Sequence, residues 1–241
     1  MLSVVLWKWK QANHARAYSS EHVDAVARML HRNIRVPHRI ICITDEPEGI
    51  SECETYPLWG DADGLNNATN ANLPSCYRRL KLYDQPTQEL LGIRYGDRIV
   101  GIDLDTVITG DVTELFTQPT LYTGWVLRGK HHPQVYNGSL QIFDAGPDLQ
   151  HIWSEFDPAT SPLEAFRAGY LGSDQSWLSY KLIGRVGAHG ASWPEVASYP
   201  LQVRLQGVLS AQTKIVFFHG MKKPWDAEVQ HQAPWVNRYW R

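Results

Sequence analysis

The 241-residue sequence predicts an α/β fold with a mixed, mostly parallel central sheet flanked by helices, and three observations carry that expectation. Short runs of β-branched and apolar residues recur at Ser3–Leu6, His38–Thr44 and Arg98–Ile102, as in strands buried on both faces of a parallel sheet. Between the first two, Val23, Val26, Ala27 and Leu30 fall at the spacing of one helix face, which makes a strand–helix–strand unit. The third run ends on Asp103-Leu104-Asp105, a pair of acids at the carboxyl end of a strand, where open α/β sheets place their ligands.

Composition narrows the function classes. With 23 basic and 25 acidic residues the formal net charge is -2, so no overall field favours nucleic acid or an anionic membrane, and any phosphate binding must be local. The three cysteines, Cys42, Cys53 and Cys76, have neither metal-ligand spacing nor an even count, which suits a reducing compartment. No apolar run reaches the length of a transmembrane segment, and the apolar stretch in MLSVVLWKWKQ is short for a signal peptide, so the expectation is a cytoplasmic protein. The length suits one domain over 1–241.

Taken in order, the first strand runs into Trp7, Lys8, Trp9 and Lys10, and Ser20 and Glu21 open the first helix, which Pro37 ends. The second strand closes on Asp45 and a turn through Pro47 and Gly49. Residues 50–75, rich in Asn, Gly, Asp and Pro, predict a long irregular loop with amides at Asn66, Asn67, Asn70 and Asn72. Cys76–Tyr83 predicts a helix carrying three cations, Arg78, Arg79 and Lys81. After the acidic pair, Gly110 and Asp111 form a turn with an N-capping Asp before the short helix at Val112–Phe116. Leu121–Leu127 and Tyr136–Phe143 are further strands, joined by a polar loop in which His131 and His132 diverge too much to favour zinc. Residues 148–170 make one or two surface helices broken at Pro158 and Pro162. Ser173 is placed to cap a helix whose first turn holds Asp174 and Gln175. Finally Ile215–Phe218 is a buried strand that delivers His219, Gly220, Lys222 and Lys223 to one end.

Asp103 and Asp105 are the central chemical signal. Two residues apart on an extended chain, their side chains share a face and converge on one hard cation, since like charges so close repel. The stretch IDLDTVITGDVTELF resembles the Asp-x-Asp segment of glycogenin-like glycosyltransferases of GT-A fold, and the opening strand, helix and strand resemble a bacterial and phage branch of that group. The resemblance extends through five separated segments in family order. It implies a GT-A-like, Rossmann-like domain that moves a sugar from a nucleotide-sugar donor, a UDP-sugar, to a saccharide or other hydroxyl acceptor, with retention of anomeric configuration, residues 1–116 being mainly the nucleotide-binding half and 117–241 mainly the acceptor half with the C-terminal metal and phosphate motif.

The same resemblance implies residue roles. Asp103 and Asp105 hold Mn2+ or Mg2+ on the donor diphosphate, and Lys8, Trp9 and Asp45 border the nucleotide, with Tyr18 on its base. Arg79 lies beside the diphosphate or sugar, Arg78 or Lys81 being alternatives; Asn137 bonds a sugar hydroxyl; Asp174 and Gln175 sit near the transferred sugar and the incoming hydroxyl. The family's His-x-x-Gly-x-x-Lys-Pro-Trp is shortened here to HGMKKPW, which assigns His219 to the metal and Lys223 to phosphate. Two other classes stay open on the residues alone: a metal-dependent nucleotidyltransferase or phosphatase, and a non-catalytic binder of sugar nucleotides on the same fold.

Overall fold

The structure is a computed structural model, and it describes residues 1–10, 18–65, 76–126 and 136–241. The described strands are β1 (Leu2–Lys8), β2 (His38–Thr44), β3 (Glu54–Pro57), β4 (Arg98–Ile102), β5 (Thr106–Ile108), β6 (Tyr122–Val126), β7 (Tyr136–Asp144), β8 (Ala188–Ala191), β9 (Val196–Ser198) and β10 (Ile215–Phe217). The helices are α1 (Ser20–Asn33), α2 (Gln85–Leu90), α3 (Thr113–Thr117), α4 (His151–Ser154), α5 (Ser161–Arg167), α6 (Asp174–Leu182), α7 (Arg204–Gln206), α8 (Ala227–Gln232) and α9 (Trp235–Tyr239). A 3-10 helix spans Tyr77–Tyr83.

Seven strands form the main sheet in the order β3-β2-β1-β4-β7-β6-β8. All neighbours are parallel except those of β7, which runs antiparallel to β4 and β6. The sheet is therefore α/β, mixed and mostly parallel, with a GT-A-like order. Its middle strands read as apolar runs because both faces are covered. In β1, Leu2, Val4 and Leu6 pack into one core layer with α1, while Val5 and Trp7 enter the other with the 3-10 helix, α4 and α6. Helix α1 buries Val23, Val26, Ala27, Met29 and Leu30. Each such aliphatic side chain contributes roughly 1.5–3 kcal/mol on burial, so Leu30→Ala would cost about 2–5 kcal/mol once its cavity is counted.

The chain leaves β1 for β2 and β3 on one side, then returns to β4 on the other side of β1. The strand order thus reverses between β1 and β4, and the crevice beyond their carboxyl ends is the place where such a sheet takes a ligand. Lys8 and Asp103 stand at the two sides of it. A three-stranded sheet, β5-β10-β9, continues from the acidic pair. Its β10 pairs antiparallel with β5, and Phe218 N–H donates to the Asp105 carbonyl at 2.8 Å, so the segment after β10 is delivered beside the acids.

Several expectations are refined. The loop predicted over 50–75 contains β3, an edge strand whose residues are mostly exposed and which ends in Pro57. Asn66, Asn67, Asn70 and Asn72, like His131 and His132, lie outside the described residues. Asp111 does accept from the Thr113 N–H at 2.9 Å, though from one position before the N-cap Val112. Ser173 occupies the N-cap of α6, but its hydroxyl serves elsewhere: it accepts from Cys76 N–H at 3.2 Å and donates to Asp174 Oδ1 at 3.1 Å. No helix among the described residues is long and apolar enough to cross a membrane.

Candidate active site

Arg79 is the hub of the crevice. It projects from the 3-10 helix with its side chain 13% exposed, donating through Nη1 to Asp103 Oδ1 at 2.6 Å and through Nε to Asp174 Oδ2 at 2.8 Å. The residue after strand β4 supplies the first of these carboxylates and helix α6 the second, so one guanidinium ties three elements together. Planar guanidinium with carboxylate on two sides is a strong, directional arrangement. Burial works to lower the Arg79 pKa, but Asp174, Cys76 and Asp103 outweigh it, and the pKa ends well above its usual value. Burial drives Asp174 the other way, above the ordinary carboxylate range, with Asp103 adding and Arg79 opposing.

The neighbouring cations are committed elsewhere. Arg78 pairs with Asp63, and Lys81 Nζ reaches Asp61 Oδ2 at 2.5 Å. Of the three cations on this helix, the crevice receives Arg79.

Beside Arg79, Asp105 is buried and paired through Oδ2 with the equally buried Lys223, whose ammonium also reaches the Phe218 carbonyl at 3.3 Å. Asp105 Oδ1 is buried with no hydrogen-bond partner among the described residues. Burial raises the Asp105 pKa, Lys223 opposes, and the Asp103 charge adds to the rise. The cluster therefore sets three carboxylates against two cations and leaves one anionic oxygen unsatisfied. No three of these carboxylates lie close enough to hold a metal ion by themselves, so a divalent cation here would be held by Asp103 and Asp105 together with oxygens of a bound ligand or water.

The other predicted residues fall into two groups. Gln175 Oε1 accepts from the Gly138 N–H at 3.2 Å, and Asn137 Oδ1 from the Ser139 N–H at 2.9 Å, so both are engaged with the start of β7, where Gly138 faces Arg79 and Asp174. Tyr18 has its pKa raised by burial and by the charges of Asp105 and Asp103; its ring meets Trp225 edge-on at 5.7 Å. Lys8 is buried at the end of β1 and pairs with Glu46 at 2.8 Å. Asp45 accepts from the Lys10 N–H at 3.1 Å, and Trp9 lies under the Arg78 guanidinium at 5.4 Å. His219 is not gathered with the acidic pair. Its Nε2 shares a hydrogen bond of 2.7 Å with Ser198 Oγ, and among the described residues no group of three His, Cys, Asp or Glu side chains is close enough to hold a metal ion. The turn that follows has Gly220 at φ +93°.

Two contributors escaped the sequence. Gly138 is required by contact, since a Cβ there would lie 2.6 Å from Arg79 Nη2 and 3.4 Å from Asp174 Oδ2. Only the Asn-Gly-Ser at the start of β7 signals it. Ser198 holds His219, and nothing in its sequence context announces that.

No protein-family model matches the sequence, and no curated protein matches it significantly. Solved structures do. The galactosyltransferase LgtC in complex with donor and acceptor sugar analogues superposes with a TM-score of 0.64 at 12% identity, covering 98% of this chain and 96% of that one. An active-site mutant of LgtC gives a TM-score of 0.63 at 12% identity over the same shares. The glycosyltransferase GlyE of Streptococcus pneumoniae TIGR4 gives 0.58 at 13% identity, covering 99% of this chain and 63% of that one. At such identities the likeness establishes the fold, which this chain shares with glycosyltransferases of GT-A-like architecture.

Proposed function

We propose that the protein is a glycosyltransferase that moves a sugar from a nucleoside diphosphate donor, a UDP-sugar, to a hydroxyl of a saccharide or other acceptor. The observation that carries this reading is the meeting of Asp103, Asp105, Asp174, Arg79 and Lys223 at the strand-order reversal of this fold. Asp103 and Asp105 would hold Mn2+ or Mg2+, with Asp105 Oδ1 as the oxygen awaiting a cation. The ion's chemistry is that of a Lewis acid, neutralising the diphosphate as it leaves. Arg79 and Lys223 supply fixed positive charge on the same side, which costs no reorganisation when the leaving group gains charge. Asp174 holds Arg79 in place, while Gln175 and Asn137 offer amides to sugar hydroxyls beside the Gly138 backbone. Lys8, Trp9, Asp45 and Tyr18 line the nucleotide side.

A panel of nucleotide sugars in a thermal-shift assay tests the reading, because a ligand stabilises the folded state by mass action. The expected outcome is a rise in melting temperature with a UDP-sugar when Mn2+ is present. A panel in which no nucleotide sugar or nucleoside diphosphate shifts melting, with or without metal, would remove the basis for the proposal.

A further inference from the structure

At the opposite ends of the strands, far from the acidic crevice, two histidines face each other. His31 lies in the last turn of α1 and His38 begins β2, and His31 Nδ1 stands 3.0 Å from His38 Nε2. Their remaining nitrogens are both against backbone carbonyls: His31 Nε2 is 3.2 Å from the Glu52 oxygen and His38 Nδ1 is 2.8 Å from the Val36 oxygen. A carbonyl only accepts, so in the tautomers that make both of these contacts as hydrogen bonds the outer nitrogens carry the protons. The two facing nitrogens are then both lone pairs. In that arrangement the lone pairs face each other across 3.0 Å, and a metal ion or a shared proton between the rings would satisfy both.

We infer that this pair is a surface site for a divalent transition metal of the copper or nickel class. A histidine that ligates a metal characteristically donates its other N–H to a carbonyl or carboxylate, and both rings here have that support. With metal–nitrogen bonds of about 2.0–2.1 Å, nitrogens 3.0 Å apart subtend roughly 90–95° at the ion, the angle of neighbouring ligands in a tetragonal or octahedral sphere rather than a tetrahedral one. Imidazole suits Cu2+ and Ni2+, and water completes the sphere at an exposed site. Glu52 is occupied with Arg28 at 3.4 Å, and Arg39 with Glu54 at 2.5 Å, so the nearby charges are internally matched. Such an ion would tie the end of α1, the start of β2 and the turn before β3, the segments that carry His31, His38 and Glu52.

The test uses Ni2+ and Cu2+ alone, on the full chain and on His31→Gln and His38→Gln. The expected result is that the wild type binds one more Cu2+ than either variant, with an electron paramagnetic resonance signature of two coupled imidazole nitrogens. Ni2+ should raise its melting temperature while the variants lose that shift, with at least tenfold weaker binding. Circular dichroism of the metal-free variants checks folding, and the wild-type imidazole signature stands without them. Equal stoichiometry and affinity in all three proteins, or a wild-type Cu2+ signal with no paired imidazoles, would overturn the assignment and leave a shared proton between the rings.

Discussion

Gly138→Ala adds one methyl group at the start of β7, and the structure says what it meets. The new Cβ would lie 2.6 Å from Arg79 Nη2, about 0.8 Å inside ordinary contact distance. Arg79 cannot swing aside freely, because it is buried and held by Asp103 at 2.6 Å and by Asp174 at 2.8 Å. Overpacking of this kind costs about 1–3 kcal/mol, and loosening one hydrogen bond to a charged group adds about 1.5–3 kcal/mol if the guanidinium yields. A net loss of about 2.5–6 kcal/mol follows when both apply, or roughly 5–24 °C in melting temperature for a chain of this length. Urea melts would read it as a lower midpoint at unchanged m-value. Gly101→Ala is the control, since its Cβ would meet only Gln141 Cβ, at 4.0 Å. In an Arg79→Lys background, whose side chain lacks the fork, Gly138→Ala should cost less than half as much. Equal stability of Gly138→Ala and wild type, or an equal cost in both backgrounds, would refute the role given to this contact.

Three further outcomes follow from the same geometry. Gln175→Ala should lower turnover at least tenfold while leaving nucleoside diphosphate affinity within about twofold, because its amide faces Gly138 rather than the cations; parallel kinetics and calorimetry check this. Asp174→Ala should instead cost about 3–5 kcal/mol of stability and weaken diphosphate binding as well, since it leaves Arg79 without the carboxylate that positions it. Donor and metal affinity should fall as pH drops: burial raises the Asp105 pKa, so its carboxylate is protonated at a higher pH than an ordinary Asp and the proton competes with the cation. In the metal-free protein the sign reverses. A raised folded pKa contributes stability that is full below the unfolded value of about 3.9 and is lost as pH rises through the folded one, so ionising Asp105 and Asp174 each costs stability as pH rises through that range. A pH series of metal-dependent donor binding, in which affinity rose with acidity, would contradict this.

The buried strands were legible because their environment leaves one solution. His38–Thr44 and Arg98–Ile102 begin and end where the apolar runs do, since both faces of the sheet are covered. β3 was not legible: at the edge of the sheet, Glu54–Pro57 needs no apolar pattern. At the site, the residues that meet were visible as types and positions, but which cation enters the crevice was not. Arg78, Arg79 and Lys81 are alike in sequence, and Asp63 and Asp61, from the segment that precedes the helix, take the outer two. The two-residue shortening after β10 likewise decides between His219 and Lys223 only in three dimensions: the lysine reaches Asp105, and the histidine turns to Ser198.

The central claim is that the carboxylates at this crevice serve transfer from a nucleotide sugar. It is tested most directly by the release of nucleoside diphosphate from a UDP-sugar in the presence of Mn2+, measured for the wild type, Asp105→Asn and Arg79→Met. The account predicts metal-dependent release by the wild type and a loss of at least a hundredfold in both variants under conditions where they remain folded. Release that continues undiminished in excess chelator, or in Asp105→Asn, would contradict it.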